Sequence, residues 1–403
     1  MKKYDFETLL DRRGHDALAV DAIGMGGFAP DKAKEGFDTI PMWVADMNFP
    51  TASSIQDAII ARAKHPAFGY FLPSDEYFDA IINWHKEHKG VADLKKEDIG
   101  YENGVLGGVV SALKVFASAG DPVLLHSPTY MGFTHALEDN GFRIVHSPLK
   151  RDAAGTWRMD YEDMERKIQE NHIHVAVFCN PHNPCGRVWT KEEIAQAMAV
   201  YERNHVWVIS DEIWSDLLLN GHQYTPAQSV SAWAHNHVLA FYAPSKTFNL
   251  AGLIGSYHVI YNQPIRERVE AIGAKTIYNS MNVFSEHALI GAYSPEGSNW
   301  LGQLLPVLSA NVNLACDYID HKFAGVTAFK AEGTYMLFLD CSKWLQERGL
   351  SQQELLKKGW DYGIGWQDGR LFQDASSLRV NLASPHSQIK KAFERMDKYV
   401  FNA

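Results

Sequence analysis

From about residue 100 the chain alternates short apolar runs with stretches whose apolar positions recur at helical spacing. No other feature narrows the possible folds as much. Parallel strands cannot be joined by tight turns; they need a crossover long enough to hold a helix, so this alternation predicts an α/β fold with a mostly parallel sheet. Six runs are predicted strands: DPVLLHSP (121–128), FRIVHSP (142–148), HVAVFCN (174–180), HVWVISD (205–211), HVLAFYA (237–243) and SYHVIY (256–261). Most end in polar or turn-forming residues, and ligands of open α/β sheets bind just beyond the C-terminal strand ends. Between the strands, TKEEIAQAMAVYERN (190–204) predicts a helix, with Thr190 as N-cap and Glu193 three residues on.

After about residue 285 the pattern changes to a long helical stretch. VTAFKAEGTYMLFLDCS (326–342), SLRVNLA (377–383) and a closing helix from Ser387 follow. This predicts a smaller α+β domain over 285–403 beside a large domain over 48–284, with residues 1–47 as an arm joining the small domain. A chain of 403 residues is in any case longer than one core usually serves.

The formal net charge of -10 and the lack of a basic stripe argue against a nucleic-acid partner. No apolar run approaches membrane-spanning length, and the N-terminus MKKYDFETLLDRRG turns polar before a signal-type apolar region develops. The four cysteines contain no C-x-x-C pair, which fits a reducing cytoplasm.

Several polar clusters stand where strands end. In YAPSKTFNLAG (242–252), Lys246 follows a strand and a Ser-Pro turn. Such a lysine is usually solvated; attack on a carbonyl requires surroundings that lower its pKa. Asp211 closes HVWVISD and can reach into the crevice or cap a following helix, and Glu212 reads as its structural, ion-paired neighbour. CNPHNPCGR (179–187) is a proline-stiffened loop that can aim Asn183, and a metal reading of Cys179, His182 and Cys185 lacks a fourth ligand. ENGVLGGVVSALKVF (102–116) runs from a glycine turn into a helix, so the backbone at Gly104, Val105 and Leu106 can hold a phosphate. Tyr130 follows another strand and can stack or merely pack. Arg379 interrupts the alternation of SLRVNLA; it is either a carboxylate fork or a surface residue on an edge strand.

These elements occur in one order, and together they resemble the pyridoxal 5'-phosphate (PLP) dependent fold type I aminotransferase superfamily over nearly the whole chain. Within it, IPMWVADMNFPTA (40–52), FGYF (68–71), NPHNPCGR, DEIWSD and SKTFNLAG are similar to the MalY/PatB-type cystathionine β-lyases, or C-S lyases. The resemblance implies a role for each candidate. Lys246 is the Schiff-base lysine, Asp211 the partner of the pyridinium nitrogen, Asn183 the ligand of the ring oxygen O3', and Tyr130 the stacking ring. Ser245 and the turn at Gly104, Val105 and Leu106 bind phosphate; Arg379 binds the substrate α-carboxylate, and Ala45 belongs to the segment covering the substrate. Tyr70 matches a tyrosine sent to the phosphate of the neighbouring subunit, which implies a homodimer with shared sites.

Two positions depart from the family pattern: Asn48 stands where ADMDFP has aspartate, and Trp214 where histidine or tyrosine is usual. An indole donates from N–H but neither accepts nor titrates, so any help from Trp214 to O3' is independent of pH. The implied activity is cleavage of cystathionine or another S-substituted cysteine, with transamination as the alternative and a PLP-binding regulatory protein as a third reading.

Overall fold

The structure is a computed structural model that describes residues 2–402. Met1 and Ala403, the outermost residues of the expected arm and small domain, lie outside the described residues. A seven-stranded sheet forms the centre of the molecule. Its strands are β1 (Ile99–Glu102), β2 (Pro122–Ser127), β3 (Arg143–Pro148), β4 (Val175–Cys179), β5 (Trp207–Asp211), β6 (Val238–Tyr242) and β7 (Ser256–Val259), in the order β1-β7-β6-β5-β4-β2-β3.

All six predicted runs are strands, and β3-β2-β4-β5-β6 pair in parallel. β7 does not follow; it is antiparallel to both β6 and β1. The connection from β6 to β7 contains only the single-turn helix Pro244–Thr247 and a short 3-10 turn at Ala251–Leu253. It holds no crossover helix to carry the chain back to the starting end of β6. β1 was not predicted, because glycine weakens a strand signal and Gly100 sits inside it. The glycine has a packing reason: a Cβ there would meet the His258 ring of β7 at 2.2 Å.

Side chains on β4 alternate between two cores, as a sheet covered on both faces requires. Val175 and Val177 face the helix Val105–Phe116 through Val109, Ala112 and Leu113. Ala176 and Phe178 face the helix Lys191–Arg203 through Ile194, Ala197 and Met198. Each such large apolar side chain contributes about 1.5–3 kcal/mol by burial. The Lys191–Arg203 helix begins with the expected capping box of Thr190 and Glu193.

A second, antiparallel sheet contains β8 (Thr327–Ala328), β9 (Met336–Asp340), β10 (Gln367–Asp368) and β11 (Ser377–Asn381), ordered β8-β9-β11-β10. β11 is a central strand, since β9 and β10 flank it and all five of its residues are buried, and of the two readings of Arg379 the surface residue on an edge strand falls. The segment around residues 40–48 docks on this part of the fold. Ile40–Pro41 pairs in parallel with Ile364–Gly365, and the N–H of Asn48 donates to the carbonyl of Ala383 at 2.9 Å. A third apolar cluster runs from Ile55 and Tyr77 through Trp300 to Leu378 and Phe393, so side chains from both sheets and the long helix Pro295–Lys322 share one core. Among the described residues, no helix is long and apolar enough to cross a membrane.

Candidate active site

A cavity of about 240 Å³ opens beyond the C-terminal ends of β4, β5 and β6, where the topology of a parallel sheet leaves a crevice. Ala45, Gly104, Val105, Leu106, Tyr130, Asn183, Asp211, Trp214, Ser245 and Lys246 all line it. They come from stretches spread over 200 residues of sequence. Arg379 lies just behind the wall, joined to Asn183. Tyr70 is the exception: it is fully exposed on a loop with Phe68 and Leu72 and lines a different groove.

Lys246 sits in the single-turn helix after β6, which starts with Pro244 at its first position. Its ammonium donates to the Ala45 carbonyl at 2.9 Å and lies 5.7 Å from the centre of the Trp214 ring. Burial and the nearby Arg379 guanidinium lower its pKa to about 8, while Asp46 and Asp211 pull the other way. About a tenth of the amine is therefore neutral at pH 7, far more than for an ordinary lysine, as nucleophilic or basic work requires.

Asp211 ends β5 with its carboxylate accepting the N–H of Ile213 at 3.0 Å. Burial raises its pKa to about 7. The alternative reading of Asp211 as a local cap is right about this hydrogen bond, but a turn follows rather than a helix. Glu212 requires a correction. Its carboxylate is fully buried without an ion pair among the described residues, and it is held by Ser210 Oγ at 2.6 Å, Tyr224 Oη and the N–H of Ala227.

Arg379 is 3% exposed and points its guanidinium toward the loop at Asn183. Nη1 donates to Asn183 Oδ1 at 3.2 Å; Nη2 donates to the Trp43 carbonyl at 2.9 Å and to Gln367 Oε1. Phe372 lies under the guanidinium, 4.5 Å from ring centre to Cζ, and Nε has no partner among the described residues. Burial lowers the pKa to about 10. Every acceptor is neutral, so among the described residues this buried positive charge makes no ion pair; that arrangement is costly unless an anionic ligand completes it.

The helix Val105–Phe116 starts at Gly104, whose φ of +77° suits glycine, and no side chain caps it. Its first N–H groups and dipole thus face the cavity unscreened, close to Ser245. Tyr130 precedes the helix Met131–Asp139, and its ring occupies space that any Cβ on Gly132 would enter, at 2.3 Å. Trp214 is 2% exposed, and among the described residues its indole N–H has no acceptor.

Several contributors escaped sequence reasoning. Tyr335 donates to the Ala45 carbonyl at 3.0 Å, the same oxygen that Lys246 uses. Asn381 Nδ2 holds the carbonyls of Val44 and Asp46, both at 2.6 Å. Its position two residues after Arg379 puts it on the same strand face, a signal that alternation could have supplied. Gln367 and Gly132 gave no such signal. At the departure position, Asn48 receives a 3.4 Å hydrogen bond from Arg12, which also pairs with Asp46 at 2.6 Å.

The cavity combines an amine tuned toward neutrality, a buried carboxyl group that makes no ion pair within 4.0 Å among the described residues, a free helix N-terminus and, just behind its wall, a guanidinium hydrogen-bonded to neutral acceptors. It suits a ligand with a carbonyl, a basic nitrogen and a phosphate, together with a carboxylate-bearing reactant. Known proteins resemble the chain over most of its length. The aminotransferase class I and II family matches residues 42–396. Cystathionine beta-lyase PatB of Bacillus subtilis is 35% identical over 342 residues, covering 84% of this chain and 88% of its own. The crystal structure of cystalysin from Treponema denticola, which contains a pyridoxal 5'-phosphate cofactor, superposes with a TM-score of 0.90 at 27% identity, covering 99% of each chain. The PLP-bound C-S lyase of Staphylococcus hominis gives 0.88 at 27% identity, over 99% of this chain and 98% of that one. The family match spans both sheets and every wall of the cavity, and the chain belongs to the aminotransferase class I and II family.

Proposed function

We propose that this protein is a PLP-dependent C-S β-lyase that cleaves cystathionine or related S-substituted cysteines to pyruvate, ammonia and a thiol. The observation that carries the reading is the extent of its likeness to cystathionine beta-lyase PatB, joined to a cavity where an amine, an acid and a buried arginine converge. The residues fit the cofactor. The uncapped helix start at Gly104, Val105 and Leu106, with Ser245, suits its phosphate, and Asp211 suits its ring nitrogen. Asn183 and the unpartnered N–H of Trp214 suit O3', and Tyr130 suits the ring face.

Bound PLP supplies an electron sink for a carbanion at the substrate Cα. Arg379, with Asn183 beside it, holds the substrate α-carboxylate in a planar, two-pronged contact. Lys246 Nζ, with its pKa near 8, takes the Cα proton. Asp211 would accept a hydrogen bond from the protonated ring nitrogen and so favour its charged form. Ala45, held by Tyr335 and the neighbouring Asn381 contacts, closes the cavity over the reacting atoms and excludes water.

The decisive measurement is product analysis with cystathionine and no added keto acid. Pyruvate, ammonia and thiol should appear in equal amounts over many turnovers. Strict dependence on a keto acid, with no pyruvate from any S-substituted cysteine, would instead assign the chain to transamination.

The proposal includes a homodimer in the cytoplasm, divided into an arm (1–47), a large domain (48–284) and a small domain (285–403). Four buried cysteines, all free thiols, support a reducing compartment. The pairing of Ile40–Pro41 with Ile364–Gly365 and the hold of Asn381 on the carbonyls of Val44 and Asp46 support the arm. The dimer is supported by Tyr70, which is exposed with Phe68 and Leu72 and lines a different groove from the cavity of its own chain. If it completes the partner's site, mixing inactive Lys246→Ala with impaired Tyr70→Phe subunits should restore one working site per hybrid dimer. A fully active monomer in sedimentation would contradict this.

A further inference from the structure

Behind the cavity lies a buried charged cluster with no assigned role. Lys89, at the end of the helix Asp75–His88, points inward and pairs with Asp216; their side chains are 1% and 3% exposed. Lys89 also donates to Ser215 Oγ at 2.7 Å, and Trp84 Nε1 donates to Asp216 Oδ1 at 3.1 Å. The second carboxylate oxygen, Oδ2, accepts Thr247 Oγ1 at 3.0 Å.

Thr247 is the covalent neighbour of Lys246, and Asp216 lies five residues beyond Asp211 in the same turn segment. One hydrogen bond therefore ties the segment carrying the lysine to the segment carrying the acid. The lysine segment needs such a tie. A four-residue helix is one turn long and has almost no stability of its own, because the first turn fixes several residues for a single hydrogen bond. Its internal bonds, from the N–H of Phe248 to Pro244 and of Leu250 to Ser245, close the turn but do not orient it against β5.

We propose that Asp216 and Thr247 are positioning residues that hold Lys246 in register with Asp211, with Lys89 and Trp84 fixing the carboxylate. The proposal rests on the reading of Lys246 as the reacting amine. A charged acceptor suits the task, since hydrogen bonds to an ionised group are shorter and stronger than neutral ones. Burial acts to raise the Asp216 pKa, but the Lys89 charge and the bonds from Lys89, Trp84 and Thr247 hold it below the ordinary carboxylate value. Asp216 is not among the charges that set the Lys246 amine; those are Arg379, Asp46 and Asp211. Its influence runs through geometry.

The test compares Thr247→Val, which keeps the shape and loses the hydroxyl, with Thr247→Ser, which keeps the hydroxyl. In the loaded enzyme, Thr247→Val should lower kcat about tenfold or more, because a displacement under 1 Å at a reacting group is expensive. KM should stay near the parent value, since Arg379 is untouched, and Thr247→Ser should behave like the parent.

A second readout uses the cofactor-free chain: the pH midpoint for reductive methylation of Lys246, followed by peptide mass spectrometry. Thr247→Val should shift it, because the distances to Arg379, Asp46 and Asp211 change; Thr247→Ser should not. Parent-like kcat and midpoint in Thr247→Val would overturn the proposal, and so would equal impairment of both variants. If Thr247→Val does not accumulate as folded protein, Thr247→Ala is judged by the same criteria. Failure of the underlying reading is distinct: it would show as full activity in Lys246→Ala.

Discussion

Lys246→Ala should abolish turnover while leaving the fold intact. The side chain makes one hydrogen bond, to the Ala45 carbonyl, and that oxygen keeps Tyr335 as a donor after the lysine is gone. Little stability is lost, yet the sole lysine amine among the described residues that line the cavity disappears. The parent should be yellow, and borohydride should fix the cofactor covalently to the peptide containing residue 246. In the variant that attachment should vanish, although the phosphate contacts at Gly104, Val105, Leu106 and Ser245 can still retain the cofactor. The pKa of about 8 adds a pH signature. In the cofactor-free chain, Lys246 should become reactive toward electrophiles as pH rises through about 8, whereas an ordinary lysine waits until about 10.4. Full activity in Lys246→Ala, or a midpoint at the ordinary lysine value, would remove this residue from the centre of the proposal.

Arg379→Ala should raise KM for amino-acid substrates strongly while leaving the cofactor spectrum nearly unchanged. Truncating one partner of a buried, hydrogen-bonded charge pair costs about 2–5 kcal/mol, which corresponds to about 30-fold or more in binding. Part of that loss comes from groups that Arg379 now satisfies: Asn183 Oδ1, the Trp43 carbonyl and Gln367 Oε1. Arg379→Lys separates charge from shape. Lysine keeps the positive charge but has no planar fork, so it should recover only part of the loss. Substrates without an α-carboxylate should react poorly with the parent and be nearly indifferent to the substitution. An alanine variant with unchanged KM and turnover would make Arg379 a structural residue whose purpose is to hold the segment at Trp43.

Much of the architecture was legible because it depends on local pattern. The apolar runs that became β4, β5 and β6 are nearly continuous, which is what strands buried on both faces need, and the capping box at Thr190 marks its helix by residue type alone. β1 was hidden because its glycine answers to a ring on another strand. The direction of β7 was hidden as well, since a run of apolar residues carries no arrow and only the short connection after β6 decides it.

By itself, then, the sequence determined the α/β class, the succession of strand-end polar clusters and, through their order, the family. Those properties reside in short stretches and their spacing. Tertiary structure decided the electrostatics and the partnerships. From its own strand Arg379 could be a carboxylate fork or a surface residue on an edge, and it is buried because β9 and β10 close on both sides of it. Glu212 read as ion-paired, yet its charge neighbour Lys89 was taken by Asp216, leaving the glutamate to hydroxyls and a backbone N–H. The lowered pKa of Lys246 belongs to no motif. It arises because folding removes water from the amine and brings up a guanidinium 133 residues away, and both desolvation and Coulomb interaction depend on distances that exist only in the folded chain.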